Sequence, residues 1–361
     1  MKKITLELLK KIHDYGYEAF AVGGFVRDIL LGNKSNDIDI TTNATPMELK
    51  NIFPDIQIPK INYGSVTLMY KNVLFEITTY RKEGNYIDNR HPNQIEYVND
   101  LKTDLLRRDF TINALCMDMH GNIIDLLNGK KDLDNHLIRT INDSYQSFND
   151  DSLRILRAVR FATTLDFQLS EEIVSAIAKT KNLLKNLSYS RKKYELDHIF
   201  ASNRAQEGIS LLKELDLLDV LEIKNIDRVK DYSDIIGIWA MINPQNYRFS
   251  SSEKELIKKI NCVYELDNLD NHVLYKYGLY VNLLAALNKG ISKKEINEKY
   301  QDLPIKTRSD INLSVPLMCK KLNKEPNSFI NEIFNDLENK ILDGVLVNEE
   351  EVLLEYVLSN Y

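Results

Sequence analysis

Two patterns of apolar and polar positions divide this chain. Before about residue 130, short apolar runs of strand length, Phe20 to Val22, Ser65 to Tyr70 and Leu74 to Thr79, are separated by polar stretches that hold most of the glycines and half of the prolines. After it, Leu and Ile recur at helical spacing among Lys and Glu, as in Leu153-Arg-Ile-Leu-Arg-Ala-Val-Arg-Phe. No glycine falls between Gly129 and Gly208 and no proline between Pro92 and Pro244, so nothing punctuates that middle stretch. Thr45-Pro46-Met47-Glu48 is a capping box with proline at the first helical position and predicts a helix start. The expected fold class is α+β: a head with a mixed sheet, followed by an all-helical remainder. Internal repeats and low-complexity tracts are absent from the sequence.

Composition narrows this picture in three ways. A chain of 361 residues is too long for one ordinary core and should divide into two to four units. No apolar run reaches membrane-spanning length, and the amino-terminal stretch Met1 to Ile12 is amphipathic and broken by charge, unlike a signal peptide. Cys116, Cys262 and Cys319 are scattered without metal-like spacing, and the six histidines form no cluster. These features lead us to expect reduced thiols, a cytoplasmic location and no membrane partner. The net charge of −6 gives no bulk argument for nucleic acid, so any RNA-binding surface must be locally basic.

Residues 20 to 41 carry the densest chemistry. A short apolar strand runs into Gly23-Gly24, where the missing Cβ atoms let the backbone turn and approach a ligand. Phe25 to Leu31 has helical spacing, with Gly32 placed as a C-terminal cap. Asp37 and Asp39 follow, two residues apart, so on a strand their carboxylates share one face. A Gly-Gly turn is ordinary alone, and so is Asp-x-Asp at a strand end. Together with Arg27 they suit a metal–triphosphate site, in which amides and a guanidinium hold phosphates and carboxylates hold magnesium.

This segment resembles the signature of the class II tRNA nucleotidyltransferase and bacterial poly(A) polymerase family, within the polymerase-β-like nucleotidyltransferases. The Gly-Gly-x-Val-Arg-Asp pattern followed by Asp-x-Asp is met at Gly23, Gly24, Val26, Arg27, Asp28, Asp37 and Asp39. The resemblance implies a polymerase-β-like head, Mg2+ held by Asp37 and Asp39, and nucleotide contacts from Gly24 and Arg27. Glu76, on the strand Leu74 to Thr79, would complete the metal site or act as base on the attacking hydroxyl. Leu106-Arg-Arg-Asp-Phe-Thr-Ile-Asn-Ala matches a further family motif, which implies that Arg108 binds nucleotide phosphate and that Asp109 lies near the ribose or orders the arginines. The polar stretch Arg81 to Tyr97 reads as a long loop; in the family a loop at this place is associated with the switch from adding C to adding A.

Asp150-Asp-Ser-Leu-Arg-Ile-Leu-Arg-Ala-Val-Arg bears on substrate. On a helix Asp151 and Arg154 are i,i+3 neighbours. A carboxylate beside a guanidinium matches the amine and the adjacent acceptor of C or A, whereas U and G set a carbonyl against the carboxylate. Arg157 and Arg160 continue the spacing and could reach a triphosphate; the competing reading is a salt-bridged helix face. The family form is Glu-Asp-x-x-Arg, and Asp150 departs from it. Leu187 to Leu196 corresponds to a helix-supporting motif in which Arg191, Glu195 and Leu196 match while Ser190 and Lys192 depart. Leu303 to Ile311 and Ile341 to Asn348 resemble the tail of CCA-adding enzymes.

The expected divisions are a catalytic head over 1–142, a helical neck with base recognition over 143–205, a helical body over 206–290 and a tRNA-binding helical tail over 291–361. The expected activity is template-independent addition of C, C and A to tRNA from CTP and ATP. The alternatives are a poly(A) polymerase, an enzyme adding only A or only CC, a non-catalytic RNA-binding protein, and a small-molecule nucleotidyltransferase. Oligomeric state is not encoded in any of these features.

Overall fold

A computed structural model describes residues 1–35, 37–58, 64–84 and 95–361. The chain forms two compact units, Met1–Glu222 and Ile223–Tyr361.

The first unit opens with helix α1 (Lys2–Asp14), whose Leu8, Leu9 and Ile12 are buried. Strand β1 (Ala19–Val22) leads into α2 (Gly24–Leu30), and β2 (Ile38–Thr42) into α3 (Pro46–Ile52). The predicted capping box is present at α3: Thr45 accepts from the Glu48 amide, and the Glu48 side chain accepts from the Thr45 amide. The predicted strands follow as β3 (Ser65–Tyr70) and β4 (Val73–Thr79), which pair antiparallel. Next come β5 (Arg81–Glu83), β6 (Ile95–Tyr97), α4 (Leu101–Leu106), β7 (Cys116–Met117) and β8 (Ile123–Ile124). The main sheet has the order β3-β4-β2-β1-β7-β8 and is mixed, because β2 and β4 run parallel while the other pairs are antiparallel.

Register places the chemistry. In the β2–β4 pair Asp39 lies opposite Glu76, and in β1–β2 Val22 lies opposite Asp39. Gly23, the residue after Val22, is thereby brought against the Asp39 carboxylate. Its φ is +77°, which favours glycine, and a Cβ there would lie a tight 3.2 Å from Asp39 Oδ2 and press on that carboxylate. Gly24 has no such backbone constraint.

Helices complete this unit: α5 (Gly129–Asp134), α6 (Ser144–Asp150), α7 (Leu153–Leu165), α8 (Glu171–Thr180), α9 (Tyr189–Phe200) and α10 (Ala205–Glu214). α7 buries Ile155, Leu156, Ala158 and Val159 and packs against α9 and α10. A Cβ at Gly208 of α10 would sit 2.5 Å from the Ile199 Cγ2 and 2.8 Å from Thr163, so the close packing of α7, α9 and α10 depends on that glycine.

The second unit is helical: α11 (Ile235–Ile242), α12 (Ser251–Glu265), α13 (Asn271–Asn288), α14 (Lys293–Gln301), α15 (Val315–Leu322), α16 (Phe329–Leu342) and α17 (Glu350–Asn360). The two segments flagged as tail-like meet in one core, where Leu303, Ile305 and Ile311 pack with Ile341 and Leu342. Among the described residues no helix is long and apolar enough to cross a membrane, and Cys116, Cys262 and Cys319 are free thiols.

Candidate active site

All ten predicted site residues, Asp37, Asp39, Glu76, Gly24, Arg27, Arg108, Asp151, Arg154, Arg157 and Arg160, line one cavity of about 890 Å³ in the first unit. The strand itself begins at Ile38, so Asp37 is exposed and stands just before β2, while Asp39 is half-buried within it. Burial raises the Asp39 carboxyl; Arg108 and Arg157 oppose that, Asp37 and Glu76 add to it, and the group settles at about 6. Three carboxylates gathered on one wall are therefore short of positive charge. Among the described residues no three His, Cys, Asp or Glu side chains converge closely enough to cage a metal by themselves. Asp37 and Asp39 nevertheless fit a magnesium ion, which takes one or two carboxylates and completes its shell with substrate phosphates and water.

The arginines face this acidic wall. Arg27, nearly buried, donates from Nε and Nη2 to Asp28 Oδ1 (2.9 and 2.8 Å) and from Nη1 to Asn113 Oδ1 (2.7 Å). Arg108 lies 3.4 Å from Asp104, and its Nε is buried with no hydrogen-bond partner. Arg108 also lines the cavity, and a guanidinium with unused donor capacity suits an anionic ligand. Asp104 is fully buried and accepts from Thr41 Oγ1 of β2 (2.9 Å) and from Arg107 Nε (2.9 Å), which ties α4 to β2.

Asp109 is paired with one of the arginines, Arg157. It accepts from Arg157 Nε (2.7 Å), Asn113 Nδ2 (3.2 Å) and the Phe110 amide (2.8 Å). Burial works against its ionised form, yet Arg157, Arg154 and those hydrogen bonds outweigh it and hold the carboxyl at about 2. Arg160 forms an ion pair with Glu195 of α9 (3.1 Å). Arg157 and Arg160 are thus both salt-bridged and cavity-lining.

One expectation needs correction. Asp151 is not on a helix with Arg154: α6 ends at Asp150 and α7 begins at Leu153, leaving Asp151 extended in the junction (φ −136°, ψ 98°). The physical reason is capping, since the Asp151 carboxylate accepts from the Leu153 amide (3.1 Å), one of the free N–H groups at the start of α7. Arg154 is buried and held by Ser147 Oγ (2.8 Å) and the Arg107 carbonyl (2.7 Å). Both residues still line the cavity.

The motif departures have local consequences. Lys192 is buried over the Tyr189 ring (4.7 Å), and burial lowers its pKa. Ser190 is exposed. The expected loop over Arg81 to Tyr97 is bounded by the antiparallel pair β5–β6, and residues 85–94 lie outside the described residues. The sequence reading missed Asp104, Tyr194 and His198 as cavity or support residues. Asp104 had a signal, standing four residues before Arg108 in a helical stretch; the other two had none.

Residues 19–139 match the family described as the Poly A polymerase head domain, 166–226 the RNA- and SrmB-binding site of polymerase A, and 245–357 domain 2 of tRNA nucleotidyltransferase. The CCA-adding enzyme of Ligilactobacillus salivarius is 32% identical, covering 98% of this chain and 95% of its own length. That of Oceanobacillus iheyensis is also 32% identical, over 98% and 96%. The Bacillus stearothermophilus CCA-adding enzyme solved with CTP superposes with a TM-score of 0.80 at 25% identity, over 99% of this chain and 96% of that one. The Thermotoga maritima CCA-adding enzyme solved with tRNA shares the fold, with a TM-score of 0.72 at 22% identity over 98% and 94%. With a polymerase-type head, a carboxylate and arginine cavity and relatives matched over nearly their whole length, the chain belongs to the family of CCA-adding tRNA nucleotidyltransferases.

Proposed function

We propose that this protein adds C, C and A to the 3′ end of tRNA, drawing on CTP and ATP and releasing pyrophosphate. The observation that carries this is a single cavity holding Asp39 opposite Glu76, the unsatisfied Arg108 donor, and the Asp151 and Arg154 pair. Full-length relatives named CCA-adding enzymes support it. Magnesium at Asp37 and Asp39 would activate the terminal hydroxyl and neutralise the triphosphate. Arg108 and Arg27 hold phosphate oxygens, and Glu76 supports the metal carboxylates or accepts the hydroxyl proton. Arg154, clamped by Ser147 and the Arg107 carbonyl, offers its remaining donors in one orientation, and Asp151 supplies the acceptor beside it. Catalysis would belong to the head over 1–142, base choice to the neck over 143–205, and tRNA contacts to the body over 206–290 and tail over 291–361.

Transcripts ending at the discriminator, at C and at CC, incubated with labelled CTP and ATP, test this directly. The expected products are C, C and A in turn. Long A tracts would indicate a poly(A) polymerase, and extension of only one of the three ends a partial enzyme.

Base choice gives a second test. Asp151→Asn supplies an amide able to donate to a carbonyl, so UTP incorporation should rise while CTP and ATP use falls, by about 10- to 100-fold in the ratio of kcat/KM values. Binding of tRNA should be unaffected. Unchanged use of only CTP and ATP at full efficiency would place base reading elsewhere.

A further inference from the structure

The cavity is longer than the chemistry assigned so far. α7 runs along it from Arg154 to Thr164, a rise of about 15 Å at 1.5 Å per residue. Arg154 and Asp151 occupy one end. The other end is walled by Thr164 and by Tyr194 and His198, which stand four residues apart on α9 and face the same way. Tyr194 is 55% exposed, high for an aromatic side chain on a packed helix. Its ring lies 4.5 Å from that of His198 at 43°.

This aromatic surface is firmly backed. Glu195, between the two, is buried and paired with Arg160, and Leu196, Ile199 and Phe200 are buried on the reverse of α9. Burial and the neighbouring Arg160 lower the His198 pKa, which favours the uncharged ring. Phe161, the other aromatic of the wall, has its ring taken: the guanidiniums of Arg27, Arg157 and Arg160 lie 5.1, 5.3 and 4.5 Å from it, and Phe110 meets it edge-on. Among the described residues, Tyr194 and His198 are therefore the aromatic surface this cavity offers to a planar ligand.

Two planar groups take part in each proposed addition: the base of the incoming nucleotide, which has Asp151 and Arg154, and the base of the last RNA nucleotide. Stacking on an aromatic face tolerates any base. That suits an RNA end which presents the discriminator base first and cytosines afterwards. We infer that Tyr194, with His198 behind it, is a stacking platform that positions the 3′-terminal base of the RNA; this rests on the nucleotide-addition reading above.

The test uses the full-length protein and a tRNA transcript whose 3′-terminal base is 2-aminopurine. Binding to the unaltered protein should quench the fluorophore. Saturating Tyr194→Ala should leave it unquenched, and Tyr194→Phe should restore quenching. In steady state, Tyr194→Ala should raise KM for a tRNA ending in C by about 10-fold, within the range measured for base–aromatic contacts, with KM for CTP unchanged. A tRNA lacking its terminal base should bind the unaltered protein and Tyr194→Ala equally weakly. A KM increase for CTP in place of RNA, or quenching retained in Tyr194→Ala, would overturn the assignment. Quenching without any nucleotide addition would instead uphold the platform and refute the activity, so the two readings fail separately.

Discussion

Asp39→Ala should abolish incorporation of both C and A, with a loss of at least about 10³-fold in single-turnover rate. A metal-bound carboxylate supports several kcal/mol of transition-state charge stabilisation, and each 1.36 kcal/mol is tenfold in rate. Asp39 cannot be replaced by its neighbours: it lies on the strand opposite Glu76 and beside the Gly23 turn, while Asp37 stands outside the strand. The fold should survive. The Asp39 carboxyl is raised to about 6, so at neutral pH its ionised form costs the folded state, and removing it relieves that cost. Thermal unfolding of the metal-free proteins at pH 7 should show a Tm unchanged or slightly higher, and tRNA affinity should be retained. Turnover within tenfold of the unaltered protein would dismiss the metal assignment.

The parts of the site that could be read from the sequence are those in which chemistry is local. The Gly23 turn, the Asp37-x-Asp39 pair and the Thr45 capping box each sit within one element, so spacing alone places them. The strands Ser65 to Tyr70 and Leu74 to Thr79 were legible as short apolar runs of strand length, the second beginning one residue earlier in the structure, at Val73. Asp151 was misplaced for a related reason. Periodicity marks a run as helical but not the residue at which a carboxylate turns back to cap it, and Asp151 caps Leu153.

Pairings across the sequence were out of reach. Arg27 meets Asn113, Arg154 meets the Arg107 carbonyl, and Arg160 meets Glu195 only because sheet register and the packing of α7 on α9 bring them together. The motif matches flagged Asn113 and Glu195 without saying what they hold. Tyr194 and His198 carry no motif, and only the course of α9 past the cavity gives them a reason to be noticed. The same packing makes Arg157 and Arg160 a salt-bridged helix face that also walls the cavity.

Asp109→Ala should destabilise the protein by about 3–5 kcal/mol, the usual cost of removing one partner from a buried ion pair. Asp109 is 8% exposed, and Arg157 Nη2 lies 2.5 Å from its Oδ2. Without it the half-buried Arg157 guanidinium is left without its ion-pair partner beside Arg154, and Asn113 loses an acceptor. The wild-type carboxyl, held at about 2 against an unfolded value near 3.9, contributes about 2–3 kcal/mol above about pH 5, and this is lost progressively as pH falls through 2. Urea unfolding at pH 7 should therefore separate the two proteins widely, and the gap should narrow on acidification as the wild type gives up its advantage. Asp109→Asn keeps an acceptor for Arg157 and a similar shape, so it should fall between the two, losing the charge but not the packing. A cost below about 1 kcal/mol for Asp109→Ala at pH 7 would mean that Arg157 finds another anion, and that Asp109 does not fix the arginine wall of the cavity.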